Sequence, residues 1–221
     1  MSKFSLIRLP SLFTTTDEQA MWRLQTEDDP AAFAQLVERW QGPIRRLCER
    51  MLGDAHRAED LAQETFARLF ARRKEYQPSG RFSTFLWRVA LNLCYDELRK
   101  IRRRGEQPFD VVDEERSADK PEMLSPEAAP DRQMMTSESA EIVRRALQEL
   151  PDPYRTVIVL RHYEDLKFRE IAEVLEIPEG TVKSRMAEAM VQLSVLLRGQ
   201  QQSKLKAFQR LPSIPNESLM L

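Results

Sequence analysis

The chain has 221 residues, with 34 Lys+Arg against 35 Asp+Glu and a formal net charge of −1. Its 42% hydrophobic and 31% charged residues supply a core and exclude a chain disordered throughout, and six Gly with 13 Pro exclude collagen-like and low-complexity classes. No apolar run approaches the roughly 18 residues of a membrane span, Arg8 and Pro10 interrupt the weakly apolar N-terminus where a secretory signal would lie, and two cysteines are too few for a disulfide framework or a Cys-rich zinc site.

The small net charge conceals a segregation. Residues 24–104 carry 16 basic and 12 acidic side chains, residues 105–141 three and 11, and residues 142–200 nine of each. A basic block, an acidic block and a neutral block in series predict two domains and a linker. The acidic stretch also holds Pro108, Pro121, Pro126 and Pro130 and few apolar residues, so it is expected to be a flexible spacer.

In the first block, Asp29 and Pro30 form an N-cap and a first helical position. Phe33, Leu36, Val37, Trp40, Ile44, Leu47, Cys48 and Met51 follow at helical spacing. Gly42-Pro43 predicts a kink or short break in that helix. Gly53 ends it and Asp54 caps the next, which buries Ala58, Leu61, Ala62, Thr65, Phe66, Leu69 and Phe70 and exposes Glu59, Asp60, Gln63, Glu64 and Arg68. A loop with Pro78, Ser79 and Gly80 leads to a third helix, capped by Ser83 or Thr84. Leu86, Val89, Ala90, Leu93 and Ile101 are its core stripe, and Trp87, Leu91, Tyr95 and Leu98 run along another face. Trp87 suits either a core contact or a stacking platform. The helix ends in Arg99-Lys100-Ile101-Arg102-Arg103-Arg104. Five cations in six positions exceed what a helix dipole calls for, and beside aromatic rings they suit a nucleic-acid surface.

In the last block Ile142, Val143, Ala146, Leu147 and Leu150 form an amphipathic helix, and Asp152-Pro153 opens another. Residues 167–175 and 179–197 then read as two helices about a tight turn, with Ile171, Ala172, Leu175, Ile177 and Val182 as shared core. This is the pattern of a DNA-binding helix-turn-helix. Thr181, Lys183, Ser184 and Arg185 put phosphate and base-edge chemistry at the end that enters a major groove.

These segments resemble a known family. His56–Phe70 looks like the core-polymerase-binding helix of sigma-70-type factors, and Phe82–Asn92 followed by Tyr95–Lys100 resembles their −10 element helix. Leu150–Arg161 and the helix-turn-helix resemble their −35 domain. Only these two domains are present, which is the layout of the extracytoplasmic-function group. The resemblance implies an all-α fold of two small helical domains, region 2 at 27–104 and region 4 at 138–198, joined by a flexible acidic linker at 105–137. Residues 1–26 and 199–221 are expected to be extensions.

The roles that the resemblance implies are equally specific. Asp60, Gln63, Glu64 and Phe66 would meet the largest subunit of core RNA polymerase. Arg81, Phe82, Trp87, Arg88, Asn92, Arg99, Lys100, Arg102 and Arg103 would contact −10 DNA, with a flipped base held by the loop at 74–82. Thr181, Lys183, Ser184, Arg185 and Glu188 would meet −35 DNA. An anti-sigma protein is the expected regulator, the compartment the cytoplasm, and no metal, cofactor, catalytic group or membrane insertion is expected. The rival reading is a conventional helix-turn-helix regulator acting without polymerase.

Four residues in three places depart from the family pattern. Glu188-Ala189-Met190 stands where Arg-Ala-Arg is common, Glu176 occupies a turn position that commonly holds glycine, and Lys167 replaces a capping Ser. A left-handed Glu176 would cost about 1 kcal/mol. Glu188 either accepts a hydrogen bond from a cytosine amino group or weakens −35 binding.

Overall fold

The computed structural model describes residues 16–77, 81–106 and 130–209, with side chains at 16–77, 81–105 and 139–199. The loop residues Pro78, Ser79 and Gly80, most of the acidic linker, the first 15 residues and the tail from 210 lie outside the described residues. The described residues are helical and contain no strand.

The first unit contains α1 (Asp17–Glu27), α2 (Pro30–Leu52), α3 (Ala55–Ala71), a 3-10 turn (Arg73–Glu75) and α4 (Phe82–Glu106). Local chemistry sets most of the ends. The Asp29 side chain accepts from Ala31 N–H and Pro30 takes the first helical position, as expected. Gly53 closes α2 at φ +75°, and Asp54 accepts from Arg57 N–H to start α3. The core of this unit is Leu36, Ile44, Leu47, Cys48 and Met51 of α2, Ala58, Ala62, Phe66 and Leu69 of α3, and Leu86, Trp87, Ala90, Leu91 and Cys94 of α4.

Four expectations are corrected here. Pro43 lies inside an uninterrupted α2, because Ile44 and Leu47 beside it are fully buried and packing outweighs one lost backbone hydrogen bond. The third helix begins at Phe82, ahead of Ser83 and Thr84: Arg81 carbonyl accepts from Phe85 N–H, and Glu18 of α1 accepts from Phe82 N–H at 3.4 Å. Residues 17–26 are part of the domain, since Ala20, Met21 and Leu24 are buried in its core. Thr16 caps α1 with a reciprocal capping box through Gln19. Finally, Phe70 is 42% exposed and Leu61 half-buried, so α3 covers less of its apolar stripe than its period implied.

The second unit contains α5 (Pro130–Glu149), α6 (Asp152–Ile158) running into a π-turn (Val159–Tyr163), α7 (Phe168–Leu175) and α8 (Glu179–Gln209). Helix α5 starts inside the stretch expected to be spacer, and α8 runs past the expected end at 197. The turn between α7 and α8 places Glu176 at φ 55°, in the left-handed region that glycine occupies at no cost. At the start of α7 the Lys167 ammonium cannot accept a hydrogen bond, but Glu170 reaches back to Lys167 N–H at 2.8 Å and supplies half a capping box.

The two units pack against each other, and the centre of the contact is a buried arginine. Arg155 of α6 donates to the carbonyls of Leu147, Gln148 and Leu150 around the end of α5, and to that of Met51 at the end of α2. Burial pulls its guanidinium below the ordinary arginine pKa, while Asp152 nearby favours the charged form. Gln148 donates to Arg50 carbonyl at 2.7 Å, and a Cβ on Gly53 would stand 2.9 Å from the Gln148 side chain. Thr156 donates to Asp152 carbonyl at 2.7 Å, which leaves its oxygen to accept from Tyr95 hydroxyl at 2.8 Å. Arg50 pairs with Glu164 at 3.4 Å, and burial pushes the Glu164 carboxyl up against the pull of that cation.

Arg155→Ala is expected to lower stability by about 3 kcal/mol, because it strands buried carbonyls at two helix ends. A urea titration reads this as a lower midpoint at unchanged slope. An unchanged midpoint would mean that the carbonyls find other partners.

Candidate nucleic-acid interface

Two faces of the first unit carry the expected site residues. On the first, Asp60, Gln63 and Glu64 project to solvent from α3, while Glu64 pairs with Arg68 at 2.8 Å one turn on. Between α2 and α3 lies a groove of about 630 Å³ whose lining includes Phe33, Val37, Glu59, Gln63, Phe66 and Phe70. Phe66 is buried at this groove rather than presented beside Asp60. Phe33 and Phe70 meet across it with ring centroids 5.2 Å apart, and the Arg73 guanidinium sits 4.2 Å from the Phe70 ring. An apolar trough edged by Gln41, Arg45, Glu59 and Gln63 suits the apolar face of an amphipathic helix. The sequence reading counted Phe70 as core, because a helical stripe does not say which of its members a neighbouring helix covers.

The second face is α4. Asn92, Arg99, Lys100, Arg102 and Arg103 are exposed along it, Arg81 is exposed at its start, and Arg88 is half-exposed. Phe82 is completely buried, and Trp87 is 3% exposed with its ring edge-on to Trp40 at 5.4 Å. Of the two roles open to Trp87, this structure places the ring in the core, where it has no free face for a base. Arg99 and Lys100 pair along the helix with Asp96 and Glu97. Of the loop expected to hold a flipped base, only Lys74–Gln77, Arg81 and Phe82 are described. There Tyr76 is buried against Phe82 and Phe85, and its hydroxyl pKa is raised by burial and by the charge of Glu18.

The third set lies on the first turns of α8. Lys183 and Ser184 are exposed, and Thr181 and Arg185 are half-exposed. Lys183 pairs with Glu179 at 2.7 Å, and Ser184 donates to Thr181 carbonyl at 3.0 Å. Glu188 is exposed on the same side and accepts from Gln192 at 3.0 Å. Among the described residues no group of His, Cys, Asp and Glu could hold a metal ion, and no helix is long and apolar enough to cross a membrane. Cys48 and Cys94 are both buried free thiols.

The structure also brings together residues that sequence reading did not connect. Arg81 pairs with Glu170, Arg88 with Glu176 at 2.7 Å, and Arg102 with Asp152. These acids belong to the second unit, at separations from 50 residues for Arg102 to 89 for Arg81, and no local pattern announces such pairs.

Comparison with known proteins fits this layout. The family profile described as Sigma-70 region 2 matches residues 36–104, and that described as Sigma-70, region 4 matches residues 140–193. The chain is 36% identical over 170 residues to the ECF RNA polymerase sigma factor SigW of Bacillus subtilis, spanning 77% of this chain and 91% of that one. It is 32% identical over 173 residues to the RNA polymerase sigma-H factor of Pseudomonas aeruginosa, spanning 78% and 89%. Among solved structures, CnrH in complex with the cytosolic domain of CnrY shares the fold at TM-score 0.60 and 21% identity, covering 83% of this chain and 97% of that one. The sigma factor RpoE in complex with the anti-sigma factor NepR from Bartonella quintana does so at TM-score 0.56 and 20% identity, covering 75% and 96%.

The different placements of Trp87 and Asn92 give a direct test. Trp87→Ala should cost about 3–5 kcal/mol of stability, whereas Asn92→Ala should stay within about 0.5 kcal/mol of the parent. Chemical denaturation of both variants checks this, and a Trp87→Ala protein of parental stability would put the ring outside the core.

Proposed function

The chain belongs to the extracytoplasmic-function group of sigma-70-type RNA polymerase sigma factors, and from that membership we propose how its surfaces divide the work of transcription initiation. It is a sigma factor: it binds core RNA polymerase, recognises the −10 and −35 promoter elements and promotes opening of the duplex. We assign core binding to Asp60, Gln63 and Glu64 together with the α2–α3 groove. The observation that carries this is the groove itself, an apolar trough beside three outward polar side chains.

The −10 role goes to the exposed members of the α4 face, namely Arg81, Arg88, Asn92, Arg99, Lys100, Arg102 and Arg103. Cations along a helix neutralise phosphates, and the Asn92 amide offers both a donor and an acceptor to an unstacked base. Phe82 and Trp87 support that face from beneath. Thr181, Lys183, Ser184, Arg185 and Glu188 take the −35 role at the N-terminal end of α8. The chain works in the cytoplasm with the polymerase, and nucleotide addition is the polymerase's chemistry rather than its own. Regulation by an anti-sigma protein is the reading that the complex of RpoE with the anti-sigma factor NepR supports. A conventional helix-turn-helix regulator would leave the region 2 match at 36–104 without a purpose.

Reconstituted transcription tests the whole assignment: start sites that appear only when the protein joins sigma-free core polymerase define both promoter elements at once. Within it, Asp60→Ala with Glu64→Ala should weaken competition for core by about tenfold, the size expected for two interface contacts of modest strength, while leaving binding to −35 duplex intact. Normal competition would remove these residues from the core interface. Glu188→Arg should raise −35 duplex affinity and steepen its salt dependence by about one phosphate contact. An unchanged salt slope would mean that residue 188 faces away from DNA.

A further inference from the structure

The exposed residues assigned to −10 DNA include no aromatic ring. An opened duplex leaves unpaired bases, and proteins that hold single strands stack those bases on aromatic side chains. Phe82 and Trp87, the two rings expected to contact that DNA, are buried in the core. Among the described residues three aromatic side chains are exposed: Trp22, Phe70 and Tyr163. Phe70 packs on Phe33 and carries the Arg73 guanidinium, and Tyr163 carries that of Arg50 at 4.2 Å. Trp22 is 56% exposed, and no ring or guanidinium of the described residues is stacked on it.

Trp22 also stands where α1 borders the start of α4. It lies four residues after Glu18 and three before Gln25, so the three share one helix face. Glu18 accepts from Phe82 N–H at 3.4 Å. Gln25 donates to Tyr76 carbonyl at 2.7 Å, and Lys74 donates to Gln25 carbonyl at 2.7 Å. Helix α1 therefore meets the chain at Lys74 and Tyr76 and again at the first turn of α4, with the free indole between the two contacts. A strand that follows the α4 cations from Arg103 back to Arg81 arrives at this helix. Three acids on or beside α1 are already neutralised: Asp17 by Arg39, Asp29 by Arg23, and Asp28 by Arg73 and Lys74. Glu18, one turn from the ring, favours contact with a base over contact with a phosphate.

We propose that Trp22 is a DNA-binding residue whose indole stacks on an unpaired base of the opened promoter strand beside the start of α4. This rests on the reading of Arg81, Asn92 and Arg103 as −10 contacts. Every base has a π face, so the stack tolerates any base identity. Trp22 accordingly helps to hold the strand open and does not choose its sequence.

The test uses holoenzyme, the full-length chain joined to core polymerase, and labelled fork-junction DNA carrying the −10 element that start-site mapping defines. Trp22→Ala is compared with Trp22→Phe, which keeps a ring, and with Trp22→Leu, which keeps apolar bulk without one. Arg103→Ala reports on the −10 reading by itself. Each protein is also measured on forks in which one unpaired nucleotide at a time is abasic. Competition for core polymerase and urea midpoints are measured alongside.

Trp22→Ala and Trp22→Leu are expected to bind the intact fork about tenfold more weakly, and Trp22→Phe to stay within about threefold of the parent. At one position an abasic nucleotide should weaken the parent by about the same tenfold and leave Trp22→Ala unchanged, because ring and base form a single interaction. Parental affinity of Trp22→Ala beside a weakened Arg103→Ala would overturn the proposal and leave the −10 reading standing. Parental affinity of both variants would overturn the −10 reading, and the proposal with it. A loss in Trp22→Ala that is the same on every abasic fork, or that follows weaker competition for core or a lower urea midpoint, would place the ring elsewhere than on a base and overturn the proposal.

Discussion

The structure depends on how a helix end is satisfied once it is buried. The last carbonyls of a helix have no intrahelical donor, and in a crowded interior they cannot turn to water. Arg155 resolves this for two helices at once. Its guanidinium reaches carbonyls around the end of α5 and the Met51 carbonyl at the end of α2. One side chain therefore both finishes the local fold of the second unit and fixes where that unit sits on the first. The neighbouring contacts accept this geometry: Gln148 closes on Arg50 and Gly53, and Tyr95 meets Thr156.

Much of this was legible in the sequence because it is local. The Asp29-Pro30 start, the Gly53 stop and the Asp54 cap are written within a few residues of where they act. The helix-turn-helix was legible for the same reason, since its apolar spacing and its turn fall within one short segment. What failed was what depends on distant packing. The break expected at Pro43 is absent because the buried residues beside it, which keep α2 continuous, are covered by other helices. Phe70 looked like core and Trp87 ambiguous because periodicity gives a direction, and only a neighbouring helix decides whether that direction is covered. The start of α4 was misplaced because its first amide is met by Glu18, 64 residues earlier.

The functional site divides along the same line. The residue types on α3, α4 and α8 follow from sequence and from the resemblance to sigma factors. The ion pairs that join α4 to the second unit do not, because each acid belongs to a segment that sequence reads as part of a separate domain. Three cations of the basic first block thus stand against anions of the second unit.

Helix α1 has a consequence for where this domain begins. The region 2 profile starts at residue 36, inside α2. Yet Met21 and Leu24 lie wholly inside the core, Gln25 donates to Tyr76 carbonyl at 2.7 Å, and Trp40 donates to Asp17 at 3.0 Å. A protein trimmed to the recognisable family segment would be hollow along one side of α2 and α4 and would lack the carboxylate that meets the first amide of α4. The packed unit around region 2 therefore begins earlier in the chain than the segment that the region 2 profile matches.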